Sequence, residues 1–336
     1  MKNFFNNIFS KSEENEQEVI VLSENIINNF IKAIYKALLN RETDPYGLKF
    51  YSDLIKSSPE TGFREVINKV IDSDEFDEKF VGLWTLDRDC KKKELIKDSY
   101  WNWIKSNDSS YLNALKLSSY QISSKYKRTD VINQIFSKRG SDTCYLEIGV
   151  RNPDDNFNLI KASKKYSVDP GHEVLVNKAD FKLESDQFFA LLSEGKILTK
   201  NQKFDVIFID GLHLADQVDR DIENALDYIK KDGFVILHDC NPPTEWHARQ
   251  DYQYHNSPAD GAWNGTVWKA FLKRRFDNSL KSCCIDTDWG IGIISKNIDI
   301  GSAIKNENPF YEFKKFDENR KEFLNLVSFE EFISFL

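Results

Sequence analysis

The run from Lys203 to Pro243, KFDVIFIDGLHLADQVDRDIENALDYIKKDGFVILHDCNPP, constrains the fold more than any other stretch. Phe204 to Ile209 is apolar, with β-branched residues, and Asp210-Gly211 stops it. Val218, Ile222, Ala225, Leu226 and Ile229 then share one face at helical spacing. Lys231-Asp232-Gly233 reads as a turn, and Phe234 to Leu237 as a second apolar strand stopped by His238-Asp239. Two such strands around a helix make a βαβ unit, which belongs in a parallel sheet. Both strands end in acid–histidine pairs, Asp210 with His213 and His238 with Asp239. Ligands of open α/β sheets bind outside the carboxyl ends of the strands, so the two pairs are expected to face one crevice.

The 336 residues leave room for two domains. A net charge of -8 and a pI near 5.4 argue against a nucleic-acid binder that works through an overall positive field. Cys90, Cys144, Cys240, Cys283 and Cys284 form no CxxC pair and are odd in number. A disulfide framework is therefore not expected, and a reducing cytoplasmic setting is. The aromatic start, MKNFFNNIF, is too short and too rich in Asn to span a bilayer, so no transmembrane segment is expected.

Residues 1–20 read as a flexible lead and residues 21–85 as a helical module. Ser23 is placed to cap a helix carrying Ile26, Ile27, Phe30, Ile31, Ile34, Tyr35, Leu38 and Leu39. RETDPYG is a polar turn, a second helix runs through Leu48, Tyr51, Leu54 and Ile55, a third spans Phe63 to Ile71, and Ser73 to Phe76 starts a fourth. Tyr35, Leu38, Leu39, Arg41, Asp44, Gly47, Tyr51, Ser73, Glu75 and Phe76 resemble the pattern of a short helical repeat found in bacterial surface and glycan-modifying proteins. Arg41 and Asp44 are expected to hold the turn and Gly47 to relieve it, as structural support. Residues 86–139 read as a helical connector. They hold a charged run over 87–97, the aromatics Trp101 and Trp103, and helices over Tyr111 to Tyr126 and Val131 to Phe136.

Residues 140–305 carry the cofactor-binding pattern. Cys144 to Val150 is a strand interrupted by Glu147 and ended by Gly149, a helix is expected around Phe157 to Ala162, and a second strand ends at Asp169. The twenty residues from Gly149 to Asp169 suit an adenosine site in which the glycine admits the ligand and the acid takes the ribose hydroxyls. Arg151-Asn152-Pro153 replaces the further glycines of GxGxxG, so a cofactor without a pyrophosphate fits better. Glu147 stands in an apolar strand, where an unpaired carboxylate is costly, so function or a tight pairing must explain it.

LEIGV, VDP, SDQFF, FDVIFIDGLH, HDCNP, WNGTVWKAF and DTDWGIGII, in this order and spacing, resemble the class I S-adenosylmethionine-dependent methyltransferases. The nearer likeness is to the bacterial, glycan-associated subgroup. The resemblance implies a Rossmann-like α/β methyltransferase sheet, mostly parallel with an antiparallel edge strand, behind an N-terminal all-helical module. It implies that Glu147 braces the methionine amino end, Gly149 lies beside S-adenosylmethionine, Asp169 takes the ribose, and Ser185 and Asp186 lie near the adenine. Asp210, His213 and His238 fall on the acceptor side, with His213 the nearest candidate general base. Asp210, His213 and Asp239 also make an incomplete divalent-cation set, with Mg²⁺ as the candidate ion.

Residues 241–268 form a long polar insertion expected to cover the crevice as a substrate lid, with Glu245, His247, Trp263 and Asn264 as candidate acceptor contacts. Residues 306–336 read as one or two closing helices, a candidate oligomer contact. The expected function is O-methylation of a sugar, nucleotide sugar or glycan hydroxyl, with a glycosyltransferase or a second copy as candidate partner. The rivals are a glycan-modifying enzyme that transfers no methyl group and a degenerate fold kept for binding.

Overall fold

The computed structural model describes residues 23–59, 61–76, 102–254 and 257–336. The expectations for residues 1–20, for the charged run 87–97, and for Cys90 and Trp101 fall outside them. The chain divides into two compact units, residues 1–108 and 109–336.

The first unit is helical: α1 (Glu24–Leu39), α2 (Pro45–Ser57) and α3 (Gly62–Ile71), with residues 74–76 opening another helical turn. Ser23 caps α1 as expected, its side chain accepting from the Ile26 N–H. Ile27, Ile31, Leu38, Leu39, Ile55, Val66, Val70 and Phe76 form its core. Asp44 caps α2 by accepting from Gly47 N at 2.7 Å. Arg41 forks onto Glu75 at 2.5 and 2.6 Å, closer than its 3.5 Å approach to Asp44. Gly47 gives space rather than unusual backbone: a Cβ there would lie 2.7 Å from the Tyr35 hydroxyl.

The second unit begins with α4 (Ser109–Ile122) and α5 (Arg128–Ser137). The sheet strands and covering helices follow in the order β1 (Cys144–Ile148), β2 (Lys164–Val168), α6 (Ser185–Glu194), β3 (Phe204–Ile209), α7 (Ala215–Tyr228), β4 (Ile229–Leu237), α8 (Val267–Arg275), β5 (Lys281–Ile285) and β6 (Ile291–Ser295). The chain closes with α9 (Phe313–Glu318), α10 (Arg320–Leu324), β7 (Leu326–Val327) and α11 (Phe329–Ser334). The seven strands lie in the order β2-β1-β3-β4-β6-β5-β7. β2, β1, β3 and β4 are parallel, while β6 runs against both β4 and β5. This is the expected Rossmann-like methyltransferase sheet.

The two-residue period of the strands divides the core. Leu146, Ile148, Ile207, Ile209, Val235 and Leu237 pack under α6, α7 and α8. Tyr145, Val206, Phe208, Phe234 and Ile236 pack under α5 and against Phe332. Apolar residues on both faces explain why the strands read as continuous apolar runs. The same alternation turns Glu147 to the Tyr145 side.

Three local expectations are corrected. Between β1 and β2 there is no α-helix, only 3-10 turns at Pro153–Asp155 and Phe157–Leu159. Asn152 accepts from Asp154 N there and donates to Asp155, side-chain bonds that compete with helical ones. Residues 231–233 are a bulge within β4 rather than a turn before it: Phe204 pairs with Ile229 and Val206 with Phe234. The C-terminal segment adds a strand as well as helices, since β7 pairs with β5.

Candidate active site

The candidate site residues gather at the carboxyl ends of β1, β2, β3 and β4. Gly149 follows β1 at φ 84, and a Cβ there would lie 2.3 Å from the Asp210 carbonyl oxygen and 2.4 Å from Gly211 Cα. Only glycine lets the ends of β1 and β3 touch. Glu147 is buried and accepts from the Tyr145 hydroxyl at 2.6 Å and from Asn156 Nδ2 at 2.9 Å. Thr129 donates to Asn156 Oδ1 at 2.7 Å. Burial, against these bonds, pushes the Glu147 carboxyl up to about 7. Both of these bonds fall on Oε2 of Glu147.

Asp169 is fixed at the end of β2, accepting from Arg151 N at 2.8 Å and Gly171 N at 2.6 Å. A carboxylate oxygen takes more than one donor, so both remain open to ligand hydroxyls. Ser185 and Asp186 open α6 and both meet α7: Gln217 donates to Ser185 Oγ at 3.1 Å, and Arg220 pairs with Asp186 at 3.1 Å. Beside them burial raises the Asp221 carboxyl to about 6.

Asp210, His213, His238 and Asp239 meet as the sequence predicts. Asp210 Oδ1 lies 3.4 Å from His213 Nε2 and 3.3 Å from His238 Nδ1. Asp239 Oδ2 lies 3.3 Å from His213 Nδ1 and 3.2 Å from His238 Nδ1. Asp239 is held at φ 62, a left-handed backbone uncommon outside glycine and frequent at functional sites. Burial works against charge on Asp210, but His238, His213 and Arg128 hold its carboxyl well below the usual range. Burial likewise opposes charge on both imidazoles, yet the facing Asp239 and Asp210 raise His213 and lift His238 well above the ordinary value.

Residues 263–266 wrap around His213. The Trp263 carbonyl lies 3.2 Å from Nδ1, and the indole stacks on the imidazole at 5.1 Å and 21°. Thr266 N donates to the His213 carbonyl at 2.8 Å. A carbonyl only accepts, so Nδ1 carries hydrogen and Nε2 turns toward Asp210. Asn264 is fully buried and donates to Asp239 Oδ1 at 2.7 Å. Of the other candidate acceptor contacts, Glu245 is exposed. His247 is fully buried between Ser118 Oγ at 2.8 Å and Thr244 Oγ1 at 2.9 Å, so it fastens the segment rather than lining its surface.

Two site residues lie outside the sequence-based set. Arg128 opens α5, with Nη1 2.9 Å from His238 Nε2 and Nε 3.9 Å from Asp210 Oδ2. Asp288 accepts from Arg128 N at 2.9 Å and lies 3.5 Å from His238 Nε2. Burial opposes its ionisation, yet His238 and Arg128 pull its carboxyl down to about 2. Asp288 stands within DTDWGIGII, where the motif flags it; nothing in the spacing around Arg128 does.

Asp210, His213 and Asp239 each offer a ligand atom within 4.8 Å of the others. Two oxygens and a nitrogen fit a divalent cation, and an imidazole whose other nitrogen is backed by a carbonyl is the usual support of a metal-ligating histidine.

Residues 153–240 match the family model Methyltransf_24, described as a methyltransferase domain. That segment includes Asp169, Asp210, His213 and Asp239. Residues 8–80 match a domain of unknown function, DUF4214. Comparison with curated proteins gives no match. Among solved structures, the chain is similar to an O-methyltransferase from Bacillus cereus in complex with SAH, at 12% identity and TM-score 0.32, over 58% of this chain and 96% of that one. It is similar to an SAH-bound methyltransferase from Podospora anserina at 13% identity and TM-score 0.35, over 63% and 98%. A methyltransferase of the mycinamycin biosynthetic pathway, in complex with Mg, SAH and mycinamycin VI, aligns at 14% identity and TM-score 0.34, over 74% and 67%. These alignments are loose, and the fold rests on the strand order itself. No helix among the described residues is long and apolar enough to cross a membrane.

Proposed function

We propose that this chain is an S-adenosylmethionine-dependent O-methyltransferase whose acceptor is a sugar or glycan hydroxyl. The observation that carries the reading is the seating of His213 outside β3 and β4, with Nδ1 held by the Trp263 carbonyl and Nε2 directed to Asp210. The methyltransferase family match over residues 153–240 supports it. Bound S-adenosylmethionine would supply an electrophilic methyl group on a sulfonium. Asp169 would accept its ribose hydroxyls, and Gly149 would leave room beside it, with Glu147, Ser185 and Asp186 as the remaining cofactor-side candidates. From the neutral form of His213, which, against burial, the facing Asp239 and Asp210 shift to higher pH, the acceptor O–H gives its proton to Nε2 as the C–O bond forms and the C–S bond breaks. Asp210 and Asp239 stabilise the resulting imidazolium, and His238 keeps both carboxylates in place. In a metal-dependent version of the same site, Asp210, Asp239 and His213 through Nε2 would hold a divalent cation such as Mg²⁺, which would take over from His213 as base by orienting the acceptor oxygen and increasing its acidity.

The sugar class draws on the aromatic rim, where Tyr252, half-exposed, packs on Trp263 at 5.1 Å. Glu245 is exposed on the same segment. We place the protein in the cytoplasm, where activated sugars are made.

Calorimetry with S-adenosylmethionine and S-adenosylhomocysteine tests the reading; binding of neither removes it. Asp169→Ala is expected to abolish binding. His213→Asn is expected to leave S-adenosylhomocysteine affinity within about threefold and to lower turnover by roughly 10²–10⁴-fold, the range for loss of a general base. A screen of methyl transfer onto nucleotide sugars and extracted glycans identifies the acceptor.

A further inference from the structure

No step of the proposed reaction uses Arg128. It stands among four carboxylates, Asp210, Asp288, Asp239 and Glu147, all of which act on its charge. Its Nη1 meets His238 at 2.9 Å and lies 3.7 Å from Asp288 Oδ2. Its Nε faces Asp210 Oδ2 at 3.9 Å, beyond hydrogen-bond reach, and this buried nitrogen has no hydrogen-bond partner. The guanidinium is thus drawn to Asp210 by charge without a bond between them. A guanidinium stays protonated at any working pH. Asp210, which it helps His238 and His213 to hold ionised, is also a member of the candidate cation triad.

We propose that Arg128 is the resident counter-ion of this acidic cluster, and that a divalent cation at Asp210, His213 and Asp239 must compete with it for Asp210. Arg128 thereby sets how tightly the triad takes a metal. The inference rests on the triad named above, not on methyl transfer. A guanidinium and a dication a few ångströms apart repel strongly at the effective dielectric of a partly buried site, so removing the guanidinium tightens cation binding by about tenfold or more. The unbonded Nε means that withdrawal from Asp210 breaks no hydrogen bond there. The side chain is 23% exposed, which leaves it a route toward solvent.

Mn²⁺ is the probe, titrated into the full chain and followed by the electron paramagnetic resonance of the free ion. Arg128→Gln and Arg128→Leu are expected to bind Mn²⁺ at least about tenfold more tightly than the wild type. Arg128→Lys, which keeps the charge, is expected to stay within about threefold. Equal or weaker binding in the charge-free variants overturns the proposal, and so does absence of binding in every protein. Gln and Leu fill the vacated volume differently, so whichever folds decides the question. S-adenosylhomocysteine calorimetry on the same proteins keeps the two readings apart: its failure in the wild type removes methyl transfer and leaves the Mn²⁺ comparison standing.

Discussion

Glu147 is a residue that the sequence flags by its chemistry and whose surroundings only the structure supplies. A carboxylate in an apolar strand calls for a function or a tight pairing, and Tyr145 and Asn156 both pair with its Oε2. Its carboxyl is pushed up from 4.5 to about 7, chiefly by burial. A raised acid favours the protonated folded state, so its contribution to stability is full below about pH 4.5. That contribution is lost as pH rises to about 7, a fall of about 3 kcal/mol. Glu147→Gln keeps an acceptor for both donors and has no charge to bury. Its melting temperature is therefore expected to lose this decline between pH 5 and 7, and an unchanged slope would refute the assignment. The acid–histidine cluster was legible because every member falls in the loop just after β3 or β4, and strand ends in such a sheet converge. Arg128 was not, because it reaches the cluster from a helix start distant in sequence, and no periodicity encodes that approach.

Among the elements, the segment after β4 departs most from its sequence reading. The sequence reads it as a long polar insertion, but Asn241, His247, Ser257 and Asn264 are buried. His247 joins it to α4 through Ser118, a contact 129 residues apart in sequence that no local pattern announces. Burial first, then Arg249, pushes the His247 imidazole down to about 4. Neutral His247 therefore contributes stability that is complete above about pH 6.5 and lost as pH falls through about 4. Its ring lies 5.7 Å from that of Trp289, close enough for an imidazolium to quench the indole. Tryptophan emission is expected to step down as pH falls through about 4, and His247→Asn is expected to remove the step. A step that survives the substitution would place the titrating group elsewhere. The β1–β2 connection failed for the opposite reason: Phe157 to Ala162 looked helical, but the Asn and Asp side chains before it bind the local backbone and each other.

At the scale of the sheet-bearing unit, the C-terminal segment completes the fold. β7 pairs Leu326 with Cys284 and Val327 with Ile285, covering an edge of β5 that would otherwise offer free N–H and C=O groups. α11 then lays Phe332, fully buried, against Phe234 at 6.5 Å in the middle of the sheet. Phe329 stacks on Tyr126 at 4.0 Å, two residues before Arg128. The final residues thus cover an edge, fill the α5-side core and brace the turn that brings Arg128 to the site. Phe332→Ala empties a core position and is expected to lower stability by about 3–5 kcal/mol. Phe329→Ala removes a half-buried stack at the site's margin and is expected to cost less, roughly 1 kcal/mol beyond the area lost. Because that stack supports Arg128, it is also expected to change Mn²⁺ affinity, whereas Phe332→Ala, measured well below its melting temperature, is not. Chemical denaturation and the Mn²⁺ titration together check this. If both variants lose stability and neither moves Mn²⁺ binding, the segment closes the core but does not position Arg128.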